Sequence, residues 1–149
     1  MEDIRLLYMV EKHVDLILNM DGGTDDSYPW TKRDFKNIIE ERSCVGKICK
    51  QQGAIVAYTV SILDDDEINI LKLCVQTDRR RSGIGRKIIN QYKKKIQELK
   101  KFRRITSVVK ENNLQGQLFL KENGFVCREI VEQYFEDFSN GYQFVWTTK

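Results

Sequence analysis

The chain holds one proline and one histidine among its 149 residues. Its longest apolar runs fall far short of the ~20 residues that span a bilayer. The single proline leaves no proline-rich linker or polyproline arm. A lone histidine, His13, excludes a histidine-rich metal site. The four cysteines, Cys44, Cys49, Cys74 and Cys127, stand in apolar stretches without metal-ligand spacing. Net charge is scarce too: 25 Lys+Arg against 22 Asp+Glu leave +3, too little for a nucleic-acid binder recruited mainly by charge. The opening Met1-Glu2-Asp3-Ile4-Arg5 lacks the basic-then-apolar order of a secretory signal. The expectation is a cytoplasmic protein with reduced, mostly buried thiols and neither membrane nor nucleic acid among its partners. What is present is a 41% hydrophobic fraction over a length that supports one core, so residues 1–149 are read as a single domain.

Periodicity orders the elements. Ile4 to Tyr8 reads as a strand, and Val10 to Met20 as a helix with Val10, Val14, Ile17 and Leu18 on one face. The acidic, glycine-bearing stretch Asp21 to Asp26 breaks it. After Pro29-Trp30, Thr31 can cap a second helix with Asp34 three residues on, and Phe35, Ile38 and Ile39 supply its apolar face. Cys44 to Lys50 and Ala54 to Leu63 form a hairpin about Gln51-Gln52-Gly53. In Glu67 to Val75 the alternation slips by one residue, from Ile68 and Ile70 to Leu71, Leu73 and Val75, which is the trace of a β-bulge. Gly83 to Lys100 is an amphipathic helix with Ile84, Ile88, Ile89, Tyr92, Ile96 and Leu99 on one side and lysines opposite. A strand at Arg103 to Val109, a helix from Asn113 to Asn123 stopped by Gly124, and strands at Phe125 to Val131 and Tyr142 to Thr147 complete the chain. The order β-α-α-β-β-β-α-β-α-β-β predicts an α/β fold: a mixed, mostly antiparallel sheet with helices on both faces.

Chemistry concentrates where the bulged strand ends in Leu73-Cys74-Val75 and a basic loop, Arg79-Arg80-Arg81-Ser82-Gly83-Ile84-Gly85-Arg86, opens directly into a helix. Free backbone N–H groups from Ser82 to Arg86 converge at a positive helix terminus, and the arginines add charge around it. Such a terminus binds anions, and Gly83 and Gly85 let the backbone approach a bulky one closely. The loop lacks the Gly-Lys-Ser/Thr of a P-loop and the third glycine of a dinucleotide fingerprint.

With these residues in place, the chain resembles the GNAT superfamily of acetyl-CoA-dependent N-acetyltransferases over essentially its whole length. The resemblance implies that Arg80 to Gly85, an Arg-x-x-Gly-x-Gly segment, binds the pyrophosphate of acetyl-CoA. It implies that Leu73, Cys74 and Val75 pair with the pantetheine arm through their backbone, with Arg81, Ser82, Ile84 and Arg86 beside them. Asn113 falls on the family asparagine at the start of the fourth helix, a polar contact on the cofactor side. Further matches are to the RimI-like branch, which acetylates protein N-termini, notably that of a small-subunit ribosomal protein. They are Pro29-Trp30 with Asp34-Phe35, Lys110-Glu111-Asn112-Asn113-Leu114, Gln117-Leu118-Phe119, Asn123-Gly124-Phe125 and Tyr134-Phe135-Glu136-Asp137. The partner so implied is a protein or peptide N-terminus, met by a monomer or homodimer.

Two departures bear on mechanism. Where many RimI-like enzymes carry a Glu base on the fifth strand this chain has Val108, and the family's usual Tyr acid, seven residues after the asparagine, is Leu120. An α-amine, with a pKa of about 7.7–8.0, is substantially neutral in the cell without a base, whereas a lysine at about 10.4 is not. The departures therefore favour an α-amine acceptor, positioned against the thioester with the oxyanion on a backbone N–H of the bulged strand. Tyr134 and Glu136 are the candidates for proton transfer, through a water. A small-molecule amine acetyltransferase and a non-catalytic acyl-CoA-binding module are the alternatives. Elsewhere the plainer readings stand: Trp30 and Cys74 as packing, His13 as a surface or half-buried residue, the lysines from Lys93 to Lys101 as a solvated helix face, and Asp64-Asp65-Asp66 as a turn. Tyr134, in the last loop, stands evenly between an acceptor contact and a structural role.

Overall fold

A computed structural model of the chain describes residues 4–21, 30–80 and 82–148, with backbone alone for Asp21 and Thr77. The acidic break beyond Asp21, and Pro29, lie outside the described residues. Seven strands, β1 (Arg5–Tyr8), β2 (Cys44–Gln51), β3 (Ala54–Leu63), β4 (Glu67–Val75), β5 (Arg104–Lys110), β6 (Val126–Val131) and β7 (Gly141–Thr147), form one sheet. Among the described residues four α-helices accompany them: α1 (Glu11–Asp21), α2 (Lys32–Glu40), α3 (Ile84–Leu99) and α4 (Leu114–Glu122). The strand order is β1-β2-β3-β4-β5-β7-β6, antiparallel at every junction except the parallel β4–β5 pair. This is the mixed sheet that the element order predicts, with boundaries shifted by one residue at several ends.

The local reasons follow the chain. Thr31 and Asp34 close the expected capping box of α2: the Asp34 N–H donates to the Thr31 hydroxyl oxygen at 3.2 Å, and the Thr31 N–H donates to the Asp34 carboxylate at 2.8 Å. In α1 the apolar face is Val14 and Ile17, both fully buried, whereas Val10 precedes the helix and is exposed. His13 is buried rather than superficial. Its Nδ1 accepts the Val10 N–H at 3.0 Å, and burial with Lys12 and Lys50 nearby lowers its pKa, so it caps α1 as neutral imidazole. Along α3 the isoleucines at 84, 88, 89 and 96 are buried, but Leu99 lies in the last turn and is exposed.

The slip in β4 is a bulge at Leu71: Val60 of β3 faces Lys72, while the next residue, Ser61, faces Ile70. The bulge lets both halves of the strand keep apolar residues on both faces. Ile68, Ile70 and Leu73 pack against α3 and β5 with Ile89, Ile96 and Ile105, and Leu71 and Cys74 pack toward α1 and α2 with Val14, Ile17 and Phe35. Those of them that are fully buried contribute roughly 1.5–3 kcal/mol each, so the two layers hold the sheet from both sides.

One polar network in this core ties α3 to the bulge. The Tyr92 hydroxyl lies 2.7 Å from Ser61 Oγ and 3.2 Å from Thr59 Oγ1, and Thr59 donates to the Lys72 carbonyl at 3.0 Å. Burial raises the Tyr92 pKa, so the phenol stays neutral. Tyr92→Phe strands the Ser61 hydroxyl in the core and is expected to destabilise the fold by about 1–3 kcal/mol. A thermal melt of the variant checks this, and an unchanged midpoint refutes it.

The remaining expectations divide. All four cysteines are free, and Cys49 and Cys74 are buried, but Cys127 is exposed on β6. Lys93 is not part of a solvated face: it lies 5.2 Å from the Trp146 ring and donates to the Asn123 carbonyl. Lys94 does face solvent, in a long pairing with Glu98. At the Asp64–Asp66 turn, Asp66 and Glu67 hold Arg104 at 3.0 Å each, so the turn clasps the start of β5. Among the described residues no helix is long and apolar enough to cross a membrane.

Candidate active site

The parallel junction is where the sheet opens. β4 and β5 pair only over Glu67–Arg104, Ile68–Ile105 and Asn69–Thr106. Beyond Asn69 the strands diverge, with one last tie from the Ser107 hydroxyl to the Ile70 carbonyl at 3.0 Å. Among the described residues the β4 backbone from Ile70 to Val75 then has no strand on its β5 side, and open strand edges are where an extended ligand adds hydrogen bonds. The opening widens into a cleft of about 1640 Å³ bounded by α2, β4, β5, the first turns of α3, the length of α4, and the segment between β6 and β7. A smaller hollow of about 840 Å³ between α1 and the β2–β3 hairpin contains none of the predicted site residues.

At one end of the cleft stands the N-terminus of α3. Gly83 caps it at φ 89° without any side-chain cap, and the first helical bond runs from the Lys87 N–H to the Gly83 carbonyl at 3.0 Å. The N–H groups of Ile84, Gly85 and Arg86 precede that bond and remain for a ligand, at the positive end of the helix dipole. A Cβ on Gly83 would meet no atom of the described residues within 4 Å, so this glycine serves its backbone angle. Gly85 has a different reason. A Cβ there would lie 2.9 Å from Phe119 Cε1, so its smallness admits α4 against α3, a role that the loop motif alone does not reveal.

The arginines divide their work. Arg80 donates through Nε to the Val75 carbonyl at 3.1 Å, fixing the loop to the end of β4, and Arg79 reaches Gln51 of the hairpin at 3.1 Å. Both line the cleft, as does the exposed Arg86. Arg81 lies outside the described residues. The Ser82 hydroxyl is turned away to the Arg79 carbonyl, which leaves Ser82 only its backbone for an anion. Ile84 and Cys74 are buried, and Leu73 and Val75 half-buried in the core, so these four can offer a ligand backbone alone. Asn113 caps α4, accepting the Gly116 N–H at 3.0 Å through its carbonyl oxygen, and its amide nitrogen is the group left for the cleft.

The other end of the cleft is lined by Trp30, Asp34 and Ile38 beside α2, Val108 and Lys110 on β5, and Tyr134, Phe135 and Glu136. Trp30 does pack, 5.2 Å from Phe35, yet its outer side belongs to the cleft, so both readings hold for it. Val108 faces the opening with no titratable group, and Leu120 is 5% exposed within the core. Burial pushes the Tyr134 phenol up, so its hydroxyl stays protonated at neutral pH and can donate. Glu136 is exposed at the rim.

Sequence reasoning missed the pair that shapes this end. Lys110 Nζ sits 2.6 Å from Asp137 Oδ2, 27 residues away in sequence. Both lie within the motif matches, but no spacing rule links a strand end to a later loop.

The open β4 edge, the bare helix N-terminus and the flanking arginines fit a long ligand with an extended amide-bearing arm and a pyrophosphate. That is the make-up of acetyl-CoA, whose arm Leu73–Val75 could hold and whose pyrophosphate Gly83–Arg86 could hold. Comparison with known proteins points the same way. Residues 11–125 match the acetyltransferase (GNAT) family. A search of curated proteins found no match to the sequence. Among solved structures, Ard1 from Thermoplasma volcanium superposes with TM-score 0.84 at 19% identity, covering 98% of each chain. The ribosomal-protein-S18-alanine N-acetyltransferase from Escherichia coli superposes with TM-score 0.82 at 14% identity, over 97% of this chain and 94% of that one. A mutant SpeG spermidine N-acetyltransferase from Vibrio cholerae gives 0.79 at 11%, over 97% and 93%. Likeness at these identities shows the fold, and the family match covers most of the chain: the protein belongs to the GNAT family of acetyltransferases, and its reaction is acetyl-CoA-dependent N-acetyl transfer.

Proposed function

We propose that the acceptor is the α-amine of a protein or peptide N-terminus, in keeping with the RimI-like motif matches. The observation that carries this reading is the aliphatic lining at Val108, in the part of the cleft toward which the diverging strands lead. A side chain there cannot take a proton, so the acceptor must arrive neutral. An α-amine at a pKa of about 7.7–8.0 does so, and a lysine at about 10.4 does so only to about one part in a thousand. Bound acetyl-CoA supplies the acyl thioester. The chain's own residues then orient: the β4 backbone holds the arm, the α3 terminus holds the diphosphate, and the Asn113 amide adds a polar contact. Tyr134 donates from its neutral hydroxyl, and Glu136 receives the amine's proton through water. The E. coli protein of similar fold is named as an N-acetyltransferase of an alanine of ribosomal protein S18, which accords with this acceptor.

The acidic groups Asp34, Glu41 and Glu136 around the mouth favour a second reading, a small polycationic amine, as the name of the spermidine N-acetyltransferase describes for that protein. Thiol release from acetyl-CoA decides between them, measured with free-N-terminus peptides, the same peptides N-blocked but with internal lysines, and a polyamine and aminoglycoside set. Turnover confined to free N-termini is the expected result. Turnover of the small amines alone establishes the second reading, and binding of acetyl-CoA without turnover of any acceptor makes the protein an acyl-CoA-binding module.

A further inference from the structure

We infer that Lys110 and Asp137 are positioning residues for the acceptor side of the cleft, clamping the β6–β7 segment in a strained shape that presents Tyr134 and Glu136. The inference rests on the acceptor entering beside Tyr134, and not on which amine it carries.

The segment from Glu132 to Asn140 has no regular structure, yet it is closely held. Gln133 and Phe138 both sit at positive φ, 51° and 65°, a region that residues with side chains avoid and adopt only where surrounding contacts impose it. The contacts that impose it come from the end of β5. Lys110 is 5% exposed, and its ammonium meets the Asp137 carboxylate at 2.6 Å. The other carboxylate oxygen of Asp137 accepts both the Ser139 N–H at 3.0 Å and the Ser139 hydroxyl at 2.5 Å. The next residue on the strand side, Glu111, accepts the Asn140 N–H at 2.6 Å, and Asn140 in turn accepts the Gln133 N–H at 3.0 Å. Lys110 at the end of β5 and Glu111 just after it therefore hold the loop at Asp137 and, through Asn140, at Gln133, and the stretch between those two points lines the cleft.

A lysine this buried is a costly way to fill space, since a desolvated ammonium needs a close carboxylate and an apolar side chain of similar length would pack as well. What the ion pair supplies and packing does not is a fixed direction for the loop. The lysine side of the pair is buried and the aspartate side open to water. Lys110 and the two Ser139 bonds hold the Asp137 carboxyl below the usual carboxylate range, so the clamp stays charged through neutral and mildly acidic pH. It is a permanent fixture, not a pH switch. Lys110 Nζ also lies 5.9 Å from the Phe135 ring, and Phe135 meets Tyr134 edge-on at 5.0 Å, so the clamp reaches Tyr134 through a chain of contacts.

The test compares Lys110→Met, Asp137→Asn and Lys110→Arg with the wild type, using a free-N-terminus peptide and spermidine as acceptors. Chymotryptic nicking within residues 134–138 reads the loop directly, and a thermal midpoint checks the fold. Lys110→Met and Asp137→Asn are expected to speed nicking, to raise the acceptor KM by about tenfold and to lower kcat as well, because the groups displaced, Tyr134 and Glu136, are those that move protons. Acetyl-CoA affinity stays put in both and the melting temperature stays put in Lys110→Met, while Asp137→Asn, which leaves the buried ammonium without its carboxylate, melts lower; Lys110→Arg, which can still bond Asp137, retains the wild-type KM. Faster nicking with an unchanged acceptor KM overturns the inference, as does a parallel loss of kcat, acetyl-CoA affinity and thermal stability in Lys110→Met. So does unchanged nicking. If Lys110→Met proves unable to fold, the exposed and isosteric Asp137→Asn variant carries the nicking, KM and acetyl-CoA readouts. A wild type that turns over spermidine and no peptide removes the N-terminal reading and leaves this test intact, because the KM is then read on spermidine.

Discussion

Gly83→Asp is expected to abolish tight acetyl-CoA binding while the domain keeps its stability. At the α3 N-cap the residue sits at φ 89°, and a side chain would start clear of the described residues, with none of their atoms within 4 Å of its Cβ. Aspartate tolerates left-handed backbone better than most residues, and its charge is favourable at a helix N-terminus, so strain and dipole nearly offset one another. A phosphate held by the N–H groups of Ile84 to Arg86 meets that charge at close range. Two unit charges ~4 Å apart at an effective dielectric constant of ~20 repel by about 4 kcal/mol, which places the loss of affinity on the order of 10²–10³-fold. Gly83→Asn, nearly the same shape without the charge, should lose far less. Calorimetric titration with acetyl-CoA measures both, and equal affinity in wild type and the Asp variant would mean that the pyrophosphate binds elsewhere. Gly85 cannot serve for this experiment, because Phe119 occupies the space that its Cβ would need, and loss of packing would accompany loss of binding.

The second large effect is expected in the pH profile. With Val108 where a base would stand, kcat/KM for a peptide acceptor should rise about tenfold per pH unit and level off near the acceptor's own amine pKa of about 7.7–8.0. No falling limb is expected below the usual phenol range, because burial shifts the Tyr134 pKa upward and its neutral, donating form persists above neutrality. The diagnostic step is to change the acceptor. Peptides whose N-terminal pKa values differ should move the rising limb by the same amount. A limb that ignores the peptide and stays fixed at one pH identifies a protein base, and Glu136→Gln tells whether Glu136 is that group.

Much of the fold was legible because it depends on local rules. The Thr31–Asp34 capping box, the slip of alternation across Leu71 and the glycine that ends α4 each announce themselves within a few residues, and each appears where periodicity and capping place it. The misreadings share a cause as well. Val10 and Leu99 continue an apolar pattern past the point where a helix meets the sheet, and nothing in a periodic sequence marks the end of the surface it packs on. His13, read as surface or half-buried, is buried, and Lys93, read as solvated, is half-buried, because each finds a neighbouring backbone group or ring that makes its burial tolerable.

For the site, the division is between chemistry carried by adjacent residues and geometry assembled from distant ones. The chain by itself determined the helix terminus after Arg80, the strand end at Leu73 to Val75 and the absence of a titratable group at Val108, because these are properties of contiguous residues and their types. Tertiary structure alone decided that β4 and β5 part after three pairs, that Gly85 is small for the sake of Phe119, and that Lys110 grips Asp137 across 27 residues. Such contacts depend on how whole elements pack, and packing distance is not a function of spacing along the chain.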